Sequence, residues 1–212
     1  MAAIQRSSMK DQVYEIVRGR IFSGEYGSGE EVKILTLSKE LGVSNTPIRE
    51  ALTILVAEGL LTTSLNNKFR VVQLNEKEMN ELNATICILL TGGYRAAHKD
   101  GKDADLYNLL KERYDEQIKA RKKGDQDEYI QKTLKFDRSF VEITGNQKLI
   151  EIFDTNNYLL YLYVRYTYWK ENENTEKKLK EHEELIKAVK AENAELVQKL
   201  LEAHYDEHYE RN

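Results

Sequence analysis

Apolar positions along the chain fall mostly at helical spacing. Val13, Ile16, Val17, Ile21 and Phe22 recur every three or four residues and predict a helix over 9–22. It stops at the turn Ser-Gly-Glu-Tyr-Gly-Ser-Gly. Leu37 and Leu41 predict a short second helix over 36–41, closed by Gly42. A third helix runs to 58, with Ile48, Leu52, Leu55 and Val56 on one face and Gly59 at its end. Thr46 is positioned to cap it ahead of Pro47, with Glu50 placed to add to the cap. Two strand-like runs follow, over 60–63 and 70–74, with Asn66-Asn67 as a hairpin turn. From Asn75, read as an N-cap, the texture changes. Six amphipathic helices are predicted over 76–99, 104–123, 126–144, 149–169, 176–191 and 194–209. Their short connections imply an antiparallel bundle. The fold class is therefore mainly α, with a winged helix-turn-helix over 1–75 and a bundle of about six helices over 76–212.

Composition narrows this further. One Pro and 11 Gly in 212 residues are too few turn residues for an all-β fold. A single Cys excludes a disulfide framework and any Cys-rich zinc site. No run approaches the length of apolar chain needed to span a bilayer, and the start MAAIQRSSMKDQ lacks a signal peptide's apolar stretch. A cytoplasmic protein with no membrane partner is expected. The net charge of −4 at first points away from nucleic acid. Its distribution changes that picture. Residues 1–75 hold 9 Lys+Arg and 8 Asp+Glu, a net of +1, leaving −5 for the rest.

A recognition helix presents its N-terminal residues to base edges and phosphates in the major groove. Ser44, Asn45, Thr46, Pro47 and Arg49 cluster at that end of the third helix. Hydroxyls and free helix-start N–H groups suit phosphate oxygens. Arg49 reaches a phosphate or a guanine edge, and Asn45 matches adenine. Lys68 and Arg70 lie at the wing, where cations meet the DNA backbone or minor groove.

VYEIVRGRIFSGEYGSGEEV and LSKELGVSNTPIREALTILVAEGLL closely resemble the DNA-binding domain of GntR-family bacterial transcription regulators. The resemblance covers most of 9–74. It implies operator contacts at Thr46 and Arg49. Leu35 and Asn45 stand where the family commonly has Arg, and Asn66 and Asn67 replace a usual wing Gly. Each lost Arg removes a phosphate or base contact.

FDRSFVEITGNQKLIEIF and EHEELIKAVKAENAELVQKLLEAH resemble the helical effector domain of the FadR-type branch. Many members hold a divalent metal with a D-x-x-x-H run, a His in an E-H pair and a late His. Those positions fall here on Thr133 and Asp137, on Glu181-His182 and on His204. Thr replaces the first Asp, and Asp replaces the first His. The resemblance thus implies a metal set of Asp137, His182 and His204, which suits Zn, Ni or Mn. Solvated or core-satisfied histidines remain the alternative, and His208, one helical turn past His204, is a further partner. An Arg that clamps a carboxylate in relatives falls on Ile86, and that helix has no Arg before Arg95.

The run YLLYLYVRYTYW over 158–169 is the most unusual local composition. Tyrosines facing a cavity supply flat surface and donors. Thr133, Tyr161, Arg165 and Tyr166 are the expected effector-pocket residues, with a core or dimer face as the alternative role for the tyrosines.

The expected function is a homodimeric transcription regulator that binds paired operator half-sites on double-stranded DNA. A small-molecule effector in the bundle, with a divalent metal, controls its affinity. The alternatives are a DNA-binding dimer with a degenerate effector pocket and a helical metal-dependent enzyme. Against the enzyme, no further acid/base group stands at recognisable spacing, and the N-terminal half would be unexplained.

Overall fold

The computed structural model describes residues 8–206 apart from 65, 67, 74 and 169–172. Side chains at 166–168, 173, 174 and 206 also lie outside the described residues. The expectations placed on Asn67, Leu74, the Tyr166 side chain, Trp169 and His208 fall there. The chain divides into two units, Met1–Gln73 and Leu74–Asn212.

The first unit opens with α1 (Met9–Ser23). Ser8 and Asp11 form a capping box, each side chain accepting the other's backbone N–H. Val13, Val17 and Ile21 form its buried stripe. Helices α2 (Ile34–Leu41) and α3 (Asn45–Ala57) follow, and both pack on their neighbours through apolar faces. Leu37 from α2 and Ile48, Ala51, Leu52 and Leu55 from α3 are fully buried. Strands β1 (Glu31–Val32), β2 (Leu61–Thr63) and β3 (Phe69–Val71) form one antiparallel sheet in the order β1-β3-β2.

Three local expectations need correction. The N-cap of α3 is Ser44, not Thr46, and no side chain caps the helix. Pro47 therefore sits at the third helical position, where its missing N–H still had no partner within the helix. The second wing strand begins at Phe69 and ends at Val71. Strand β1 has no counterpart in the hydrophobic pattern, because two residues carry no period. Pairing of Glu31 with Arg70 and of Val32 with Phe69 creates it.

The second unit begins with α4 (Glu76–Lys99), which is capped by a second reciprocal box between Asn75 and Glu78. Then come α5 (Asp103–Lys123), α6 (Gln126–Glu142), α7 (Gln147–Tyr168), α8 (Glu173–Lys190) and α9 (Ala194–Asp206). Helix α6 packs against α4, α5 and α7 and so lies at the centre. Its buried residues include Phe136 and Phe140, beside Thr133, Asp137 and Ser139.

Buried and half-buried polar links set how these helices meet. Tyr94 Oη donates to Asp103 at 3.1 Å, and His98 Nδ1 lies 2.9 Å from the same carboxylate, which closes the α4–α5 corner. Arg113 of α5 donates to the Lys135 carbonyl, Ser139 Oγ and Glu142 of α6. Arg138 of α6 holds Asp154 of α7 through two bonds, at 2.7 and 2.9 Å.

Helices α4 and α6 approach closely at Gly93. A Cβ there would meet the Phe140 carbonyl oxygen at 2.3 Å and Val141 Cα at 3.2 Å. Both obstacles are backbone, so the helices would have to separate. Gly93→Ala is expected to lose about 1–3 kcal/mol of unfolding free energy in urea titration. Gly92→Ala, with nothing within 4 Å, is expected to be neutral or to gain up to about 1 kcal/mol from helix propensity.

Candidate functional site

The bundle buries three side chains that hydrophobic burial alone would exclude. Asp137 is 2% exposed, His182 0% and His204 6%. They come from α6, α8 and α9. His182 Nε2 lies 3.7 Å and His204 Nε2 3.9 Å from Asp137 Oδ1. One ligand atom from each lies within 4.8 Å of the others. Burial pushes the Asp137 carboxyl above its ordinary value, against the pull of His204 and Tyr205. Burial also holds His182 well below 6.5, so its ring is neutral.

The outer atoms of the three are satisfied, and two of the inner atoms are not. Asp137 Oδ2 accepts from Tyr205 Oη at 2.9 Å. His182 Nδ1 lies 2.8 Å from Gln117 Oε1, and its ring stacks on Phe136 at 3.9 Å between centroids. His204 Nδ1 lies 2.6 Å from Glu181 Oε2. Asp137 Oδ1 and His182 Nε2 have no hydrogen-bond partner. Orphaned buried atoms on a carboxylate and an imidazole, facing each other and backed by outer partners, have the form of a metal-ligand set. The residues therefore fit a divalent cation such as zinc, which takes both nitrogen and oxygen ligands.

Lys178 adds a cation that the sequence reading missed. Its Nζ donates to Glu181 Oε2 at 3.0 Å and to the His204 carbonyl at 2.9 Å. Burial lowers the Lys178 amine, while Glu181 pulls the other way. Burial alone would raise Glu181, but His204 and Lys178 outweigh it and bring its carboxyl to about 2.

A cavity of about 50 Å³ adjoins the trio. Its polar lining includes Asp137, His204, Thr133, Lys178 and Asn83, whose Nδ2 is a buried donor with no partner. Leu134, Leu160, Tyr163 and Val164 supply apolar wall. Thr133 thus reaches the cavity as expected, but it spends its hydroxyl elsewhere, donating to the Tyr129 carbonyl at 2.9 Å. Tyr161 and Arg165 do not line it. They hold Asp127, at 3.0 Å from the Tyr161 hydroxyl and 3.1 Å from Arg165 Nε. The helical stripe of α7 that faces the cavity is offset from the one assigned to it. Ile86 is fully buried core, so α4 offers the cavity the Asn83 amide and no cation.

Asn83 and Gln117 carried a readable signal. Asn83 is a polar residue inside an apolar stripe, between Met79, Leu82 and Ile86, and Gln117 lies on the buried face of α5 between Arg113 and Ala120. Lys178 stands one helical turn before His182, which spacing alone did not distinguish from a solvated lysine.

In the first unit, Ser44, Asn45, Thr46 and Arg49 are exposed at the start of α3, and Pro47 is half-buried. With no side chain capping the helix, its first N–H groups face outward. Lys68 and Arg70 are exposed on the wing, and both reach Glu31 Oε2 of β1 at 3.2 Å. Arg70 also donates to the Gly29 carbonyl. Glu31 therefore partly neutralises both wing cations.

Residues 9–71 match the family described as bacterial regulatory proteins, gntR family, and residues 94–207 match the FCD domain. The HTH-type transcriptional regulator YdhC of Bacillus subtilis is 29% identical over 196 residues, covering 92% of this chain and 87% of that protein. The gluconate operon transcriptional repressor of Bacillus licheniformis is 28% identical over 213 residues, covering 96% and 85%. Among solved structures, E. coli McbR/YncC superposes with a TM-score of 0.72 at 22% identity, over 97% of this chain and 99% of that one. A GntR transcriptional regulator from Rhodococcus gives 0.75 at 17% identity, over 94% and 95%. These structures share the fold. Among the described residues, no helix is long and apolar enough to cross a membrane. With both halves matched, the chain belongs to the GntR family of bacterial transcription regulators, as a DNA-binding helix-turn-helix domain joined to an FCD effector domain, and it is not an enzyme.

Proposed function

We propose that this regulator binds a divalent metal through Asp137, His182 and His204, and that a small ligand in the adjoining cavity sets its affinity for DNA. The observation that carries this reading is the pair of orphaned atoms, Asp137 Oδ1 and His182 Nε2, turned toward each other inside the bundle. A bound cation would supply a Lewis-acidic point on which a ligand oxygen or nitrogen is held. Asn83 Nδ2 and Lys178 supply donors beside it, and the cavity's size limits the enclosed part of the ligand to a small polar group. The ligand would act through different affinity for DNA-competent and DNA-incompetent states.

DNA contact is assigned to Ser44, Asn45, Thr46, Pro47 and Arg49 at the start of α3, with Lys68 and Arg70 on the wing. The protein would work in the cytoplasm as a two-fold dimer on paired half-sites. Sedimentation of the full chain would check the dimer, with a monomer at micromolar concentration counting against it.

Gel-shift titration on its upstream region at several salt concentrations would test the DNA assignment. Arg49→Ala is expected to weaken binding by about 1–3 kcal/mol. Lys68→Ala is expected to weaken it on every sequence and to lower the salt slope by about one. Arg49→Ala with unchanged affinity would remove the recognition role.

Metal analysis of purified protein and thermal shift with added zinc would test the centre. Wild type is expected to gain stability with zinc, and His204→Ala to lose that gain. Metal-free protein has its own signature. The folded state keeps His182 neutral well below 6.5, whereas the unfolded chain takes up a proton near that value. Stability therefore falls as pH drops below 6.5, by up to about 1.4 kcal/mol per pH unit from this group. Glu181, held near 2 when folded against 4.5 unfolded, adds the same sign further down. Asp137, raised on folding, has the opposite sign. His182→Gln should flatten the upper part of the melting profile, and an unchanged profile would overturn the buried-neutral assignment.

A further inference from the structure

Gln117 lies fully buried on α5, and each of its polar atoms has a partner. The hydrogen bonds around it have a fixed direction. Thr133 has one hydroxyl proton and gives it to the Tyr129 carbonyl at 2.9 Å, one turn back on α6. Its oxygen is then an acceptor toward Gln117. The partner at 2.7 Å must be the Gln117 amide nitrogen. The Tyr129 hydroxyl donates to the Thr175 carbonyl at 3.3 Å and so accepts from the same nitrogen, also at 3.3 Å. With Nε2 committed to two acceptors, Oε1 is the atom that faces His182 Nδ1 at 2.8 Å. A carbonyl oxygen only accepts, so Nδ1 carries the proton and Nε2 carries the lone pair.

We propose that Gln117, braced by Thr133, is a positioning residue that locks His182 in the tautomer whose Nε2 lone pair faces Asp137 and His204. The direction originates at a helix carbonyl and passes through a hydroxyl and an amide to the imidazole. Thr133 thereby acts through His182 instead of on the ion. Without this chain, the alternative tautomer has its own reward: an Nε2 proton would point at the unpartnered Asp137 Oδ1, 3.7 Å away. That bond would close the centre to a cation. The role rests on the metal reading above, whereas the tautomer itself is a property of the metal-free protein.

The test uses the full-length ¹⁵N-labelled protein after chelator treatment. Long-range ¹H–¹⁵N correlation spectra report the tautomer of each imidazole, and four histidines make assignment by His182→Gln direct. Wild-type His182 is expected as the Nδ1-protonated form. Thr133→Val keeps the bulk and removes the brace, and Gln117→Met removes the acceptor. Both should populate the Nε2-protonated form. Zinc affinity, read by competition with a chromophoric chelator, should fall about 10–100-fold in Gln117→Met. Gln117→Glu restores an acceptor and should recover both the tautomer and the affinity. Should Gln117→Met fail to fold, Thr133→Val carries the same reading. A folded Gln117→Met with wild-type tautomer and wild-type zinc affinity would overturn the proposal. Wild type that takes up no zinc would remove the metal reading alone. The tautomer would then decide, with an Nε2-protonated His182 overturning the inference and an Nδ1-protonated one that shifts in Thr133→Val supporting it.

Discussion

A carboxylate at the centre of a helical bundle is the constraint around which the second unit is organised. Asp137 is almost wholly removed from water, and an ionised group there costs several kcal/mol unless charge or hydrogen bonds compensate it. Tyr205 from α9 answers one oxygen. The other faces two imidazole nitrogens and no proton donor within bonding distance. Three helices thus meet on a site that remains electrostatically incomplete. On the proposed reading a divalent cation completes it, and binding energy becomes stability shared by α6, α8 and α9.

Rigid surroundings let such a site persist. Gly93 brings α4 against the Phe140 carbonyl, one helical turn from Asp137 on α6. Arg113 and Arg138 tie α6 to α5 and α7 through buried or half-buried links. The imidazoles are held from behind, His182 by Gln117 and by stacking on Phe136, and His204 by Glu181. Packing and outer hydrogen bonds together fix ring orientation, which on the proposed reading a cation would meet without reordering. Asn83, with a buried amide donor and no partner, is the one polar group on α4 turned to the same cavity.

The first unit follows a different logic, that of a surface prepared for a polyanion. The buried face of α3 holds it on the core, while the opposite end leaves N–H groups and small polar side chains outward. Glu31 moderates the wing by sharing one oxygen between Lys68 and Arg70. Exposed pairs of this kind contribute little stability, so their effect falls on how much positive potential the wing presents.

The sequence by itself determined the helical class and the change of texture near residue 75, and its resemblance to a known family pointed to Asp137, His182 and His204. The first two rest on local information, apolar spacing and turn residues. The sequence did not determine what depends on who lies opposite. Strand β1 exists only because β3 pairs with it, and Thr46 lost the N-cap position to Ser44 because helical dihedrals begin at Asn45. Tyr161 and Arg165 turned to Asp127 because the rotation of α7 was set by its neighbours, which aimed Leu160, Tyr163 and Val164 at the cavity. Gln117 and His182 stand 65 residues apart and meet on separate helices. Periodicity says which face of a helix is buried. Only the packed structure decides which buried polar atoms meet, because a hydrogen bond depends on partners a few ångströms apart in space and arbitrarily far apart along the chain.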